Sequence, residues 1–246
     1  MDKQRTFRME NFIKYKNLEL DEIYSQFMNE YNQDSTLIGH RTYVENNNLG
    51  FGERPFHVVW RELVKSLPNK FKFLEIGVYK GQVLSLIPLL SKIYNKDVEF
   101  IGVTPLSNHG DKYSKYDKTS YKDAIKGIFH QFDIPFEVTK NILIGDSTHE
   151  DIKSKIKENG TYDLIYIDGC HDYDCVVSDI NLMKEVSVKE SYIVFDDSSC
   201  YKNFNTDLFK GHEDVCNAIR DLIENDSETF EEIICVGHNR VFKRIK

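Results

Sequence analysis

The chain has 246 residues, enough for one large α/β domain or two small ones, and 40% of them are hydrophobic, which suffices for a core. Its formal net charge of −8 argues against a nucleic-acid partner, which would require a basic face. No apolar run is long enough to span a bilayer, the first residues lack the pattern of a signal peptide, and five cysteines show no metal-ligand spacing, so the sequence predicts a cytoplasmic protein with reduced thiols and no membrane partner.

The first 68 residues are predicted to form a helical and loop extension. Over residues 18–32 the apolar side chains recur at intervals of three and four, which predicts an amphipathic helix. A run rich in Asn and Gly, residues 46–54, predicts a loop, and Pro55 suits the first turn of a helix that continues through Leu67. This loop either covers an active site or is an ordinary surface connection.

From residue 69 onward, predicted strands and helices alternate, which indicates a parallel sheet with right-handed crossovers and helices on both faces. The fold class is therefore a doubly wound, Rossmann-like α/β domain over residues 69–246, and the last two strands form a hairpin that adds an antiparallel strand. The predicted strands are residues 71–76, 98–103, 141–144, 162–167, 191–195, 230–236 and 240–245. The predicted helices are residues 81–94, 121–132, 149–157, 173–186 and 212–224, with a polar loop over 107–118.

A glycine-containing turn follows the first strand and should form the floor of a binding site, because ligands in open α/β sheets bind at the carboxyl ends of the strands. Here Glu75, Gly77 and Gly81 form an E-x-G-x-x-x-G pattern, which lacks the middle glycine of a dinucleotide site. The pattern resembles the first motif of class I S-adenosylmethionine (SAM) methyltransferases. That resemblance implies a seven-stranded sheet and a SAM site. An ordinary strand-to-helix turn is the alternative.

The ends of strands two and three supply the other candidate SAM contacts. The resemblance implies an acid after strand two for the ribose, but this chain has Thr104 and Pro105 there, so Thr104 or an acid elsewhere would hold the ribose. After strand three, Asp146 and Ser147 either contact the adenine or cap the next helix.

Three aspartates follow two strands that we expect to be neighbours. Asp168 ends strand four, His171 follows on the same loop, and Asp196 and Asp197 end strand five. Adjacent strands lie about 4.8 Å apart, so the carboxylates should converge. Such a cluster either binds a cation or keeps a proton, and an all-oxygen set favours Mg²⁺, with Mn²⁺ or Fe²⁺ as alternatives.

The I-D-G-x-H-x-Y run over residues 167–173, followed by the D-D pair, resembles the metal-dependent sugar O-methyltransferases related to the macrocin and mycinamicin methyltransferases, a group that also contains cephalosporin-hydroxylase-like proteins. The resemblance covers residues 71–198. It implies a SAM-dependent O-methyltransferase in which Asp168, Asp196 and Asp197 bind a divalent metal and His171, beside Asp168, is the catalytic base. His171 as a structural hydrogen-bonding residue is the alternative. It also implies a sugar or nucleotide-sugar substrate, as in surface-polysaccharide or natural-product biosynthesis.

Four alternative functions remain at the level of sequence. They are a nicotinamide-dependent sugar oxidoreductase, an iron-dependent oxygenase, a catechol-type O-methyltransferase and a non-catalytic SAM-binding protein. An oxygenase of that type needs two histidines and one carboxylate, whereas the motif offers three acids and one histidine. His212 is predicted to lie on the surface. The sequence does not fix the oligomeric state, and a homo-oligomer is compatible with it.

Overall fold

A computed structural model describes residues 12, 15, 17–107 and 120–246, and the elements below refer to those residues. The predicted polar loop falls almost entirely on residues 108–119, and the first eleven residues also lie outside the described part. The helices are α1 (Leu20–Tyr31), α2 (Ser35–Asn46), α3 (Phe56–Ser66), α4 (Gln82–Ile93), α5 (Tyr121–Gln131), α6 (Val138–Asn141), α7 (Glu150–Glu158), α8 (Tyr173–Val186) and α9 (Glu213–Leu222). The strands are β1 (Lys70–Ile76), β2 (Asp97–Thr104), β3 (Ile142–Ile144), β4 (Tyr162–Ile167), β5 (Ser187–Phe195), β6 (Phe230–Val236) and β7 (Asn239–Arg244).

The seven strands form one sheet in the order β3-β2-β1-β4-β5-β7-β6. The strands from β3 to β5 pair in parallel, whereas β7 pairs antiparallel with both β5 and β6. The predicted doubly wound α/β fold with a C-terminal antiparallel hairpin is confirmed. Because β7 runs antiparallel beside β5, its first residues lie at the carboxyl end of β5, where Phe195 pairs with Arg240. The turn that joins β6 to β7 therefore lies at this end of β5.

The sheet is buried on both faces, as expected for parallel strands covered by helices. Successive residues of β1 illustrate this, since Phe73 packs into the core beneath α1–α5 and Leu74 packs into the core beneath α7–α9. The N-terminal helices belong to the first of these cores through Phe27, Leu37 and Trp60. Among the described residues, no helix has both the length and the apolarity that crossing a bilayer requires.

Helix α2 is absent from the sequence prediction, which has no element between α1 and the loop. Asp34 caps it by accepting hydrogen bonds from the backbone N–H groups of Thr36 and Leu37, each at 3.1 Å. Its buried face carries the polar side chains of His40 and Arg41 beside Leu37 and Val44. These polar residues hide the helical period of the apolar ones, and tertiary packing rather than amphipathicity stabilises the helix.

The prediction of reduced thiols is wrong for one pair of cysteines. Cys200, in the loop after β5, is joined by a disulfide bond to Cys216 in α9, with their Cα atoms 6.0 Å apart. Cys170, Cys175 and Cys235 take no part in a disulfide bond. The pairing is invisible in the sequence because the loop of residues 196–212 folds back onto α9 only in the tertiary structure.

Candidate active site at the carboxyl edge of the sheet

The backbone ladder of the sheet extends one residue past β4 and β5 and thereby places two of the predicted acids side by side. The N–H group of Asp168 donates to the carbonyl of Ile76 at 2.8 Å, and the N–H group of Asp196 donates to the carbonyl of Ile167 at 3.0 Å. The side chains of Asp168 and Asp196 share a hydrogen bond. The structure therefore brings together the ends of β1, β4 and β5, as the sequence predicts.

Asp197 adopts an unusual backbone conformation, with a φ of 50°. Aspartate tolerates this left-handed region better than most residues do. The conformation is fixed on both sides. The carbonyl of Asp197 accepts a hydrogen bond from the N–H of His212 at 3.0 Å, and the next residue, Ser198, donates to the carbonyl of His238 at 2.7 Å. These contacts turn the Asp197 carboxylate towards the histidines of the neighbouring loops.

Three histidines surround the two adjacent aspartates. Nε2 of His171 lies 3.1 Å from Oδ2 of Asp197, and Nε2 of His212 lies 3.3 Å from the same oxygen. On the other side, Nε2 of His238 lies 3.3 Å from Oδ1 of Asp196 and 3.9 Å from Oδ1 of Asp197. The prediction that His212 is a surface residue is wrong, since its side chain is only 20% exposed and faces Asp197.

The buried carboxylates of the site would carry an excess of negative charge if Asp168 and His238 were both deprotonated. Burial, followed by repulsion from Asp196 and Asp197, raises the pKa of Asp168 well above its usual range. Burial also works to raise the pKa of Asp196, but the neighbouring His238 imidazolium outweighs it and the pKa is lowered. For His238, burial opposes protonation, but Asp196 and Glu53 hold its pKa well above the ordinary value. The site therefore favours protonation of Asp168 and His238, at positions where a divalent cation would supply the same positive charge.

Glu75, at the end of β1, is 3% exposed, and its pKa is raised well above the usual range by burial and by repulsion from Asp196. Its Oε2 atom is buried without a hydrogen-bond partner among the described residues.

Gly77 adopts a φ of 99°, and a Cβ there would lie 1.9 Å from the carbonyl oxygen of Asp168. Glycine at this position is thus required by the close approach of the β4 loop, in addition to any approach by a ligand. Gly81 precedes α4 with a φ of 88°.

The remaining predicted SAM contacts lie at the ends of β2 and β3, away from the aspartates. Thr104 is buried, and its hydroxyl accepts a hydrogen bond from the N–H of Leu106 at 3.2 Å. Asp146 is exposed, and its Oδ1 accepts from the N–H and the hydroxyl of Thr148 at 2.8 and 2.7 Å. The Ser147 hydroxyl lies near the buried Asp179 and lowers the pKa of that carboxyl, whose oxygens are within hydrogen-bond distance of no described residue. Within this structure, Asp146 therefore stabilises its own turn.

Sequence reasoning did not place His238 or His212 at this site, and it gave Glu53 only as part of a loop that either covers an active site or is a surface connection. Glu53 lies in the predicted loop before α3, its side chain is 14% exposed, and its Oε1 is 3.7 Å from Nδ1 of His238. The one available signal for His238 was its place in the predicted hairpin turn. Its proximity to Asp196 follows from the position of β7 beside β5, which the strand order along the chain does not reveal.

The match to a family model decides the family. A family described as a methyltransferase domain matches residues 74–198, which is half of the chain and contains Glu75, Asp168 and both later aspartates. The chain belongs to the methyltransferase domain family. An uncharacterized protein of Acanthamoeba polyphaga mimivirus is similar to this methyltransferase, with 30% identity over 177 residues that cover 69% of this chain and 72% of that protein.

Solved structures support the same fold. The O-methyltransferase TomG of Streptomyces achromogenes, involved in tomaymycin synthesis and solved with SAM, matches this methyltransferase with a TM-score of 0.58 and 11% identity over 93% of this chain and 100% of that one. CalS11, a TDP-rhamnose 3′-O-methyltransferase of calicheamicin biosynthesis, matches with a TM-score of 0.54 and 12% identity over 91% and 93%. The predicted membership in the class I methyltransferases is confirmed, and the nicotinamide-dependent oxidoreductase is not supported.

Proposed function

We propose that this methyltransferase transfers the methyl group of SAM to a sugar hydroxyl, and that a divalent cation assists the reaction. The sugar would be linked to a nucleotide or be part of a glycoside. One observation supports the proposal above others. Asp168, Asp196, Asp197 and His171 converge at the carboxyl ends of β4 and β5, beside the Gly77 turn where the family binds its donor.

The donor would lie over the ends of β1, β2 and β3. Glu75 offers a buried carboxylate oxygen without a hydrogen-bond partner, which suits the cationic amino group of SAM. Gly77 and Gly81 shape the turn, and Thr104, Asp146 and Ser147 border the half of the site that would hold the nucleoside. TomG, of the same fold, was solved with SAM.

The residues present fit a divalent cation. Asp168, Asp196 and Asp197 offer carboxylate oxygens, and burial together with repulsion from the other two raises the pKa of Asp168, so a cation between them would relieve that repulsion. A bound Mg²⁺, Mn²⁺ or Fe²⁺ would lower the pKa of an acceptor hydroxyl and orient it.

His171 is the candidate base. Its side chain is 15% exposed, and Asp197 fixes its Nε2 at 3.1 Å, so the imidazole is oriented yet reachable from the site. This histidine would take the proton of the acceptor hydroxyl as the methyl group is transferred.

The N-terminal segment, residues 1–68, would act as the cover of the site. Its loop of residues 48–54 is held against α2, because the Arg41 guanidinium donates to the carbonyls of Phe51 and Gly52 at 2.8 and 3.0 Å. It is also held against the start of α4, because the side-chain amide of Gln82 donates to the carbonyl of Phe51 at 3.2 Å. In the loop after β5, the Phe209 ring is 53% exposed and lies 5.4 Å from the rings of His212 and His238. An exposed aromatic ring beside the reacting groups suits stacking on a sugar, and CalS11 is a methyltransferase of this fold that acts on a nucleotide-linked rhamnose.

The test is a methyl-transfer assay with SAM against a panel of nucleotide sugars, glycosides and catechols, each with Mg²⁺, Mn²⁺ or Fe²⁺. We expect activity on a sugar acceptor that is lost with EDTA and restored by a divalent cation. The Asp168→Asn variant should lose turnover and keep its affinity for SAM, whereas Asp174→Asn, an exposed residue of α8, should match the wild type. Full activity after exhaustive chelation would refute the metal, and activity on catechols alone would refute the sugar acceptor.

A further inference from the structure

We propose that His238 is a nitrogen ligand of the cation site, together with Asp196 and Asp197, and that Glu53 holds its imidazole in place. This inference deepens the proposed function and rests on its cation site. It changes the expected chemistry of the site, because a mixed oxygen and nitrogen ligand set favours a borderline ion such as Mn²⁺, Fe²⁺ or Co²⁺ over Mg²⁺, which prefers oxygen ligands and water.

The distances among the three side chains fit shared coordination. Nε2 of His238 is 3.3 Å from Oδ1 of Asp196 and 3.9 Å from Oδ1 of Asp197, and the three ligand atoms lie within 4.8 Å of one another. Two ligands at about 2.1 Å from a common ion are separated by roughly 3.0 Å in an octahedral site and about 3.4 Å in a tetrahedral one. Small side-chain adjustments would therefore bring all three atoms onto one ion.

An acid lies on the far side of the His238 imidazole. Its Nδ1 atom lies 3.7 Å from Oε1 of Glu53, whereas Nε2 points at the aspartates. Metal-bound histidines commonly donate their other N–H group to a carboxylate, which fixes the ring and the tautomer. His238 is only 6% exposed, and its Nδ1 is buried without a hydrogen-bond partner among the described residues. Glu53 is therefore placed to accept this N–H group after a small side-chain adjustment, which would complete the carboxylate–histidine–metal pattern.

The position of Glu53 is itself fixed by packing. A Cβ on Gly237 would lie 1.3 Å from Oε2 of Glu53, so the carboxylate rests directly on the backbone of the β6–β7 turn. On the other side, a Cβ on Gly52 would lie 4.0 Å from Nε2 of His238, which places the loop backbone over the imidazole. The guanidinium of Arg41 holds this loop through the carbonyl of Gly52 at 3.0 Å. The loop and the turn thus enclose His238 between them.

The proposed ligand does not compete with the proposed base. His171 approaches Oδ2 of Asp197, whereas His238 approaches Oδ1 of the same carboxylate. The two imidazoles therefore lie on different sides of Asp197, and one can bind the ion while the other faces the acceptor.

The test is metal binding by the full chain without SAM or acceptor, so that it does not depend on catalysis. Bound Mn²⁺ is examined by pulsed electron paramagnetic resonance, which detects a directly bound ¹⁴N nucleus, and affinities for Mn²⁺ and Mg²⁺ are measured by calorimetry. We expect nitrogen coupling in the wild type, its loss in His238→Gln, and a weakening of Mn²⁺ binding by about tenfold or more in that variant and in Glu53→Gln. Affinity for Mg²⁺ should change much less.

Two variants serve as controls. His130→Ala removes an exposed histidine of α5 and should leave the nitrogen coupling unchanged. His212→Gln removes the imidazole on the other side of Asp197 and should also leave it unchanged. Absence of Mn²⁺ binding, absence of nitrogen coupling in the wild type, or coupling that survives His238→Gln would overturn the assignment. Chelator-sensitive methyl transfer without nitrogen coupling would refute this inference alone, whereas nitrogen coupling without any methyl transfer would refute the proposed function alone.

Discussion

At the scale of single residues, Asp179 shows how burial links this fold to pH. The side chain is 1% exposed in α8, and burial, partly offset by the Ser147 hydroxyl, raises its pKa from 3.8 to about 7. Between these values the unfolded chain releases a proton that the folded chain keeps. The contribution of Asp179 to the free energy of unfolding therefore falls as the pH rises from about 4 to about 7.

Asp179→Asn should remove this dependence, because the amide keeps the shape of the protonated carboxyl. We expect the unfolding free energy of the variant to exceed that of the wild type by about 2–4 kcal/mol at pH 8 and to equal it near pH 4. Urea unfolding at several pH values measures the difference. Asp174→Asn, at an exposed position of the same helix, should show no such trend. A variant less stable than the wild type at pH 8 would contradict the assignment.

The sequence predicted the positions of site residues correctly where those residues come directly after a buried strand. Asp168, Asp196 and Asp197 could be placed together because parallel strands end at the same edge, and the structure places them there. His238 and Glu53 could not be, because each comes from a turn or loop whose partner is chosen only when the sheet and the N-terminal helices assemble. Their functional roles remain predictions.

At the scale of elements, the loop after β5 is joined to α9 by the disulfide between Cys200 and Cys216, which are 16 positions apart. Breaking it should destabilise the protein by about 3 kcal/mol, the value typical of a loop of this length. The backbone of Asp197 is held by the same loop through His212, so the disulfide also supports the site.

Thiol titration of the denatured chain checks this element directly. We expect three reactive thiols without reductant and five after reduction. Cys200→Ser should lower the unfolding free energy, and reductant should then have no further effect on stability. Five thiols in the unreduced protein would show that the bond is absent.

Strand and helix bounds were predicted well for the repeated strand–helix units, since β4, α8 and β6 match the predicted ranges at both ends. The prediction is wrong for two elements that contain a stretch of polar residues. Helix α2 buries His40 and Arg41, and β5 begins at Ser187 with a polar stretch that the sequence interpretation excluded. In both, the contacts that stabilise the element are long-range, and no local period records them.

At the scale of the whole molecule, ligands that bind only the folded chain should raise its melting temperature. SAM at about 100 times its dissociation constant adds roughly 2.7 kcal/mol, which corresponds to about 5–10 °C for a chain of this size. Differential scanning calorimetry should show this shift with SAM and no shift with NAD⁺, because the E-x-G-x-x-x-G turn lacks the dinucleotide pattern. A shift with NAD⁺ alone would contradict the proposed donor.

His238 lies in the β6–β7 turn and faces Glu53 of the loop of residues 48–54, and this placement has a consequence for folding. A cation shared by the β5 end and the β6–β7 turn would act as a cross-link between segments far apart in the chain, whose closure is entropically unfavourable. Release of the ion should therefore loosen the terminal hairpin and the loop of residues 48–54 together. Newly synthesised protein would gain its tightest ion binding only after the final hairpin has joined the sheet.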